Sequence, residues 1–348
     1  MAESTIRTRI LIISDTHCAR LDDAEGRNPA TPPFKAPLPK ADLLIHAGDL
    51  TYKGKMPEYH ATLDMLKQID APLKLVIAGN HDLTLDRDFV FNHTVSDDRR
   101  AEQRAREEVE EARALWTAED GRAKLEGITY LNEGVHQIAL NNGANLTLYA
   151  SPYTPEFCDW GFPYERDEDR YNPPLRMLSD AVNIAPYPVP SFTSAVQPID
   201  ILLTHGPPYA RLDKTKTGDL AGCPHLLRAA MRSRPLLHCF GHIHEGWGAD
   251  RVTWSNRADQ VTDTGCSITE WKTGAWKEGV ADHGIKSEAP DLTAARERHA
   301  AFLDVSLESG HGLKRGEETL MINASIMDVG YQPVNAPWVV DIDLPRTP

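Results

Sequence analysis

Ile10–His17 reads ILIISDTH, a short apolar run that ends in an aspartate and a histidine separated by one residue. Four consecutive apolar residues, three of them β-branched, predict a strand that is buried on both faces. Polar side chains that follow such a strand lie at the edge where α/β sheets place their sites. The stretch therefore predicts an α/β fold with Asp15 and His17 at a sheet edge.

The same arrangement recurs four times along the chain, each time as a short apolar run that enters a polar cluster. The four further runs and clusters are Leu43–Ala47 with Gly48-Asp49, Leu73–Ala78 with Gly79-Asn80-His81-Asp82, Ile199–Leu203 with Thr204-His205-Gly206, and Leu236–Phe240 with Gly241-His242-Ile243-His244. Because the C-terminal ends of parallel strands share one edge of a sheet, these clusters are expected to lie together.

Helices and additional strands are predicted between and after these runs. Helical spacing of apolar residues predicts helices over Met56–Ile69, Ala101–Ala118 and Leu226–Arg232. Short apolar runs predict strands over Ile128–Leu131, His136–Leu140, Asn145–Ala150, Thr319–Ile326 and Trp338–Ile342. Strands that alternate with helices indicate a layered α/β architecture.

We predict a single domain over residues 1–348, with two excursions from its core. Arg20–Lys40 contains five prolines and is predicted to be an extended surface loop. Residues 249–317 are polar and rich in turn-forming residues, with a helix predicted from Asp291 to about Asp304. That second stretch has no apolar pattern able to build a core of its own, so it is interpreted as an insertion.

Charge and cysteine content restrict the classes of function. The formal net charge is −14, which makes nucleic acid an unlikely partner because its phosphates attract clusters of lysine and arginine. The five cysteines are scattered and contain no CxxC pair, so neither a disulfide framework nor a zinc finger is expected. No apolar segment is long enough for a leader or a membrane span, and we expect a cytoplasmic protein with no membrane partner.

The polar clusters together supply a set of metal-binding side chains. Carboxylate and amide oxygens combined with imidazole nitrogens suit Mn²⁺, Fe²⁺/Fe³⁺ or Zn²⁺, and the sequence does not choose among these ions. The candidate ligands are Asp15, His17, Asp49, Asn80, His205, His242 and His244. His81 is an additional imidazole in the third cluster.

The order of the clusters resembles the signature of the calcineurin-like metallophosphoesterases, which runs D-x-H, G-D, G-N-H-D/E, H and G-H-x-H. The resemblance spans about residues 10 to 248 and implies a four-layer αββα sandwich of two mixed sheets flanked by helices. It also implies a role for each ligand: one metal is held by Asp15, His17 and His244, the other by Asn80, His205 and His242, and Asp49 bridges both. His81 then resembles the catalytic histidine that contacts the phosphate and assists the leaving group.

A closer resemblance is to the metallophosphoesterase-domain-containing proteins first described from brain, which are grouped with class III cyclic-nucleotide phosphodiesterases. The segments that carry it are Ala150–Phe162, Asp200–Pro208, His238–Gly248 and Ile322–Pro345. Some members of that group replace the first histidine of G-H-x-H by glycine and are weak catalysts. Because His242 is present here, the chain is expected to keep its second metal.

The expected reaction is hydrolysis of a phosphomonoester or phosphodiester by a hydroxide that bridges two metal ions. Two divalent ions outweigh the charge of Asp15 and Asp49, so the site attracts phosphate and stabilises charge in an in-line displacement. A small phosphate ester is the expected substrate, with cyclic nucleotides as the leading class by resemblance. Asn80 and His81 are the expected phosphate contacts, and Ser151 is a further candidate. The oligomeric state is left open.

Two alternative functions remain open from the sequence. Ser/Thr protein phosphatases continue the bridging aspartate as GDxxDRG and use GNHE, whereas here Asp49 precedes Leu50–Gly54 and the third cluster ends in Asp82. The other alternative is a nucleotide-binding or scaffolding protein of the same fold with little turnover.

Residues close to the motifs also require an interpretation. We interpret His46, His136 and His238 as core histidines because none belongs to a motif. Cys18 is expected to pack away from the site. For Asp82 the sequence leaves two possibilities open, orientation of His81 or solvation of a loop.

Overall fold

The computed structural model describes residues 4–21, 33–94, 99–193, 198–254 and 282–347. Its strands are Thr5–Ile13 (β1), Leu43–His46 (β2), Leu73–Val76 (β3), Ile128–Tyr130 (β4), Gly134–Ala139 (β5), Asn145–Ser151 (β6), Thr154–Pro155 (β7), Pro163–Tyr164 (β8), Glu168–Asp169 (β9), Val182–Asn183 (β10), Ile201–Thr204 (β11), Leu237–Phe240 (β12), Gly248–Trp254 (β13), Asp282–Ser287 (β14), Ala301–Asp304 (β15), Glu318–Asn323 (β16) and Trp338–Pro345 (β17). Its α-helices are Met56–Lys67 (α1), Arg87–His93 (α2), Arg99–Thr117 (α3), Arg122–Leu125 (α4), Pro224–Ser233 (α5) and Leu292–Arg298 (α6).

Two large mixed sheets form the centre of the fold. The first has six strands in the order β15-β17-β1-β2-β3-β4. Within it β1 to β4 are parallel, whereas β17 runs antiparallel to β1. The second has seven strands in the order β14-β13-β16-β12-β11-β6-β5, with a parallel centre and antiparallel strands at both edges.

Alternation along β1 shows how the layers pack. Ile10 and Ile12 point into a core shared by both sheets, where they join residues such as Leu203 and Ile322. Leu11 and Ile13 point to the other face and join a second cluster with side chains from α1 and α3. Successive residues of the strand thus point to opposite faces of the sheet, and both faces are buried.

The outer face of the seven-stranded sheet is covered by α5. Leu226 and Leu227 of this helix pack with Leu202, Phe240 and Met321. With the helices on the other side, the order of layers is helix, sheet, sheet, helix. The predicted αββα sandwich of two mixed sheets is confirmed.

The two sheets meet at the edge that carries the polar clusters. Ser14, just after β1, forms a parallel bridge with Ser325, just after β16. The Ser14 amide donates to the carbonyl of Ala324 at 3.0 Å, and the Ile326 amide donates to the carbonyl of Ser14 at 3.1 Å. Loops that follow strands of both sheets are therefore joined at one end of the sandwich.

The interpretation of residues 249–317 as an insertion requires correction. β13 and β14 belong to the seven-stranded sheet and β15 to the six-stranded sheet, so this stretch contributes strands to both. The helix predicted from Asp291 to about Asp304 ends at Arg298, and Ala301–Asp304 is a strand. Small and polar residues such as Ala249, Asp250 and Ala301 are buried in these strands, so hydrophobic content alone did not reveal them. Residues 255–281 lie outside the described residues.

The Pro-rich loop is described in part. Residues 33–40 form neither helix nor strand, as predicted, while residues 22–32 lie outside the described residues. Among the helices that the structure describes, none is both long and apolar enough to cross a membrane.

Candidate metal centre

Four of the predicted ligands lie in tight turns directly after strands. Asp15, His17, Asp49 and His242 have φ angles of 53°, 40°, 54° and 66°. Non-glycine residues rarely adopt this left-handed conformation, and each such residue costs about 1–3 kcal/mol, so clusters of them mark functional sites. The turns reverse the chain at the sheet edge and direct these side chains towards a common point.

Two glycines of the motifs allow the chain segments to approach one another. A Cβ atom on Gly79 would collide with the Asp49 carboxylate and with the His205 ring. A Cβ atom on Gly241 would collide with the Asp15 carboxylate and with Ser14. The G-N-H-D and G-H-x-H motifs therefore need glycine because a ligand of a neighbouring loop occupies the space.

Asp15, His17 and His244 form the first half of the site, and their candidate ligand atoms all lie within 4.8 Å of one another. His244 Nε2 is 3.5 Å from Asp15 Oδ1, and all three side chains are largely buried. Asp15 is held from behind by the Ser325 hydroxyl, which donates to Oδ2 at 2.7 Å. The His242 amide also donates to this carboxylate, at 3.0 Å.

Asp49, His205 and His242 form the second half and again lie within 4.8 Å. His205 Nε2 is 3.3 Å from Asp49 Oδ1 and 2.8 Å from Asn80 Oδ1. The other Asp49 oxygen, Oδ2, is 3.5 Å from His17 Nε2 in the first half. Asp49 thus stands between the two halves, in the place that the sequence resemblance implied for a bridging ligand.

Two observations on the His17 ring show that these side chains are suited to bind metal ions. His17 Nε2 is fully buried and has no hydrogen-bond partner among the residues that the structure describes. Its other ring nitrogen, Nδ1, is 2.8 Å from the carbonyl of Thr51, which requires Nδ1 to carry the proton and leaves Nε2 as a free lone pair. An imidazole fixed by a carbonyl in this way is typical of metal-ligating histidines. The Nε2 lone pair of His17 and the carboxylates of Asp15 and Asp49 thus form a buried group of electron donors, which is suited to bind cations.

The charges of the site couple its carboxylates to two of its histidines. Burial opposes the ionised form of Asp15, but its hydrogen bond with His244 and the charge of that ring hold the pKa of Asp15 below its ordinary value. Burial likewise opposes ionisation of Asp49, and His205 outweighs it, so the pKa of Asp49 is also lowered. Burial favours the neutral form of His205 and of His244, but their contacts with these carboxylates outweigh it and raise the pKa of each ring to about 9. A cation can take the place of these protons.

The two remaining histidines of the site are neutral. Burial lowers the pKa of His17 to about 4 and that of His242 to about 3. A neutral imidazole is the form that binds a metal ion. The two rings are thus ready to act as ligands at neutral pH.

His81 lies beside the ligands and is fixed by its own contacts. Its Nδ1 is 2.9 Å from the carbonyl of Tyr52, and its backbone amide donates to Asp49 Oδ1 at 2.9 Å. The ring stacks on Trp160 with a centroid separation of 4.0 Å. Its side chain also comes close enough to His17 and Asp49 to be grouped with them as a potential metal-binding cluster.

Asp82 has a role that neither sequence interpretation included. It is fully buried and accepts hydrogen bonds from the amides of Gly79, Leu50 and Thr51 at 2.8, 3.1 and 3.0 Å. Burial and the charge of Asp49 raise the pKa of Asp82 to about 7. Asp82 therefore ties together the two loops that carry Asp49 and Asn80.

Ser151 lies beside His205 in the sheet, where its carbonyl accepts the His205 amide at 3.1 Å, but it does not line the cavity above the candidate ligands. Its side chain is fully buried and its hydroxyl donates to Glu133 Oε1 at 2.9 Å, away from the cavity described below. The proposal of Ser151 as a substrate contact requires correction, because its hydroxyl is buried at the end of β6 and is engaged by Glu133. A position next to a Pro-Tyr turn did not reveal this burial.

The interpretation of histidines outside the motifs is correct for two of the three. His46 and His238 are fully buried and lie 2.9 Å from the hydroxyls of Thr16 and Thr204. His136 is not a core residue: it lies on the edge strand β5, partly exposed, with Nε2 2.9 Å from the carbonyl of Asn132. β5 is the edge strand of its sheet, so even the side chains that alternate towards the core, such as His136 and Ile138, stay partly exposed.

Cys18 is not a ligand of this site. Its Sγ lies 3.9 Å from the carbonyl of Leu50 and 3.7 Å from that of Glu58. Burial raises the pKa of its thiol to about 12, so the thiol stays protonated at neutral pH.

A cavity of about 730 Å³ opens above the ligands. Its floor includes the polar side chains of Asp49, Asn80, His81, His242 and His244. The walls are formed by residues of four loops, and they are Pro155, Phe157, Trp160, Arg166, Thr215, Thr217, Asp219, Leu220, Ala221, Ile243, Glu245, Val329 and Tyr331. This volume suits a small organic molecule.

The αββα sandwich and its cluster of candidate metal ligands are together typical of metal-assisted phosphoesterases. The family model of the calcineurin-like phosphoesterases matches residues 8–246, and the chain belongs to this family of hydrolases. That range contains all seven predicted ligands and His81.

The chain is similar to named relatives that differ in how much of their own length is matched. Metallophosphoesterase domain-containing protein 1 of Homo sapiens is 27% identical over 341 residues, which cover 97% of this chain and 72% of the relative. The probable rhamnogalacturonate lyase C of Emericella nidulans is 32% identical over 248 residues, 71% of this chain but 18% of that protein. A UPF0046 protein of Caenorhabditis elegans is 31% identical over 220 residues, 61% of this chain and 48% of its own.

Proposed function

We propose that this chain hydrolyses a small phosphate ester with two divalent metal ions. Asp15, His17 and His244 would hold one ion and Asn80, His205 and His242 the other, with Asp49 shared. The observation that carries the proposal is the convergence of these side chains, from loops that follow strands of both sheets, on two adjacent clusters. Mn²⁺, Fe²⁺/Fe³⁺ and Zn²⁺ all suit the donors.

The residues of the chain have distinct tasks in this reaction. Asp49 and Asp15 remain ionised because histidines beside them lower their pKa values, so both carboxylates are available to the ions. Two bound ions supply the positive charge and the activation of water that phosphoester hydrolysis requires. Asn80 and His81 line the floor of the cavity and would contact the phosphate. His81, with Nδ1 engaged by a carbonyl, offers Nε2 to an oxygen of the ester.

Cyclic nucleotides are the substrate class that we favour within this chemistry. The support is the resemblance of the sequence to the group of class III cyclic-nucleotide phosphodiesterases, together with a cavity larger than a phosphate group requires. We place the reaction in the cytoplasm, since Cys18, Cys158, Cys223 and Cys239 are free thiols in the described structure, as expected of a reducing compartment.

The test is hydrolysis of bis-p-nitrophenyl phosphate by chelator-stripped protein, before and after addition of Mn²⁺. The wild type should regain activity with metal, and Asp49→Asn should stay lower by at least about 100-fold because it loses the shared carboxylate. Asp70→Asn is a matched control, since the Asp70 carboxylate is mostly exposed and lies 3.9 Å from Lys40 Nζ. No activity with Mn²⁺, Fe²⁺ or Zn²⁺ would favour a binding protein with little turnover.

A further inference from the structure

Large apolar side chains are exposed around the cavity instead of being buried. Phe157, Leu220, Val329 and Tyr331 line it and are between 37% and 63% exposed. They come from three separate loops, so their convergence does not follow from one local sequence. Exposed apolar surface that surrounds a polar floor is typical of a binding site for an organic ligand.

Trp160 is held rigidly at the edge of this apolar surface. Its ring stacks on His81 at 4.0 Å and lies 5.1 Å from Lys53 Nζ. The next residue, Gly161, donates its amide to the carbonyl of Asn80 at 3.0 Å, which docks the loop on the metal-binding motif. The indole is therefore fixed before any ligand arrives.

Tyr331 is fixed on the opposite loop. The Asp328 carboxylate accepts the amides of Gly330 and Gln332 at 2.8 and 2.9 Å, and the Tyr331 amide donates to the Asp328 carbonyl at 2.9 Å. This turn holds Tyr331 at a φ of 56°, with its ring 4.9 Å from that of His17. The same Asp328 carbonyl lies 2.9 Å from His244 Nδ1, so one loop orients both a metal ligand and an aromatic wall.

We infer that Phe157, Trp160 and Tyr331 form a recess for a flat, apolar organic group of the phosphate ester, and that they determine specificity for it. The inference rests on the proposed function, because the polar floor would hold the phosphate. A phosphate fills only part of a cavity of about 730 Å³, and the space next to it is bounded by these rings. Trp160 and Tyr331 are fixed in advance by the contacts above, so they lose little conformational entropy when a ligand binds.

The test compares phenylphosphonate with methylphosphonate by calorimetry on Mn²⁺-loaded protein. Both carry the same anionic head group and neither is hydrolysed. Phenylphosphonate should bind about tenfold or more tightly, because burial of its ring adds apolar contact. Equal affinities would overturn the recess, while recovery of bis-p-nitrophenyl phosphate hydrolysis by Mn²⁺ would separately leave the proposed function standing.

Phe157→Ala is the decisive variant because Phe157 is 63% exposed and its removal does not threaten the core. It should weaken phenylphosphonate binding about three- to tenfold and leave methylphosphonate binding unchanged. Leu175→Ala is the matched control, since Leu175 is exposed and does not line the cavity. The inference would be contradicted if neither Phe157→Ala nor Tyr331→Ala weakened phenylphosphonate binding. It would also be contradicted if neither phosphonate bound to the wild type.

Discussion

At the scale of single residues, the site depends on backbone carbonyls that fix its imidazoles. Nδ1 of His17, His81, His205 and His244 lies 2.8 to 2.9 Å from a carbonyl oxygen in each case. Each Nδ1 therefore carries a proton, which directs Nε2 of the ring to the centre. In His205 and His244, whose pKa is raised to about 9, a cation would replace the proton on Nε2. The same physical means thus orients three candidate metal ligands and the candidate phosphate contact.

His81 is oriented in the same way as the candidate ligands, so a variant is needed to separate its role from theirs. His81→Ala should keep metal binding, since its backbone amide still donates to Asp49 Oδ1. The value of kcat should fall by about 100-fold, as expected when a group that assists proton transfer is removed. Metal content and kcat are measured on the same sample, with His136→Ala as the control. Loss of metal together with activity would show that His81 is itself a ligand.

The sequence predicts the identity of the site residues better than their surroundings. Spacing and order selected Asp15, Asp49 and His205, and the structure places them in neighbouring clusters. The partners that hold them, such as Ser325 and Asp328, lie more than 80 residues away from the ligands they contact. A hydrogen bond between such distant positions leaves no local periodic pattern, although both partners fall in the segment Ile322–Pro345 that carried the closer resemblance.

At the scale of elements, the strands that end in ligands were predictable and the strands that extend the sheets were not. Apolar runs predicted β1, β2, β3, β11 and β12. At most ends of these strands, the predicted and observed boundaries differ by no more than two residues. β13 and β15 were assigned to an insertion because short strands with polar or small residues do not show a hydrophobic run. Their burial comes from neighbouring strands, which is a tertiary effect that a local pattern does not contain.

One polar cluster joins three of these strands. The Asp341 carboxylate on β17 accepts from Arg9 Nε at 2.8 Å and from Arg7 Nη2 at 2.7 Å, both on β1. Arg7 also binds Asp304 on β15 at 2.7 Å. Burial opposes ionisation of Asp341, but the two arginines outweigh it and lower the pKa of Asp341 below its ordinary value. The ionised carboxylate therefore stabilises the folded protein.

Asp341→Asn should lower the free energy of unfolding by about 1–2 kcal/mol at pH 7, a figure reduced because the arginines are partly exposed. A carboxylate with a lowered folded-state pKa stabilises above its unfolded pKa of about 3.9, and this stabilisation is lost as the pH falls through the folded pKa. Urea unfolding of both proteins should thus show a difference that narrows below about pH 4. A difference that stays constant down to pH 2 would contradict this electrostatic origin.

At the scale of the whole molecule, two sheets and their covering helices create one edge at which distant loops meet. The acidic surface, with a net charge of −14, would not prevent phosphate binding there, because cations bound to the candidate ligands would reverse the local charge. The αββα order of layers followed from the family resemblance. The order of strands within each sheet did not follow from the apolar runs, since those runs do not specify which strands are neighbours.

The central claim is that seven side chains form two adjacent metal positions that share Asp49. Native mass spectrometry of chelator-stripped protein reloaded with Mn²⁺ or Zn²⁺ tests it most directly. The wild type should gain the mass of two ions per chain, and Asp49→Asn should retain at most one. A wild type that binds one ion or none with each metal, or an Asp49→Asn variant that still holds two, would contradict the claim.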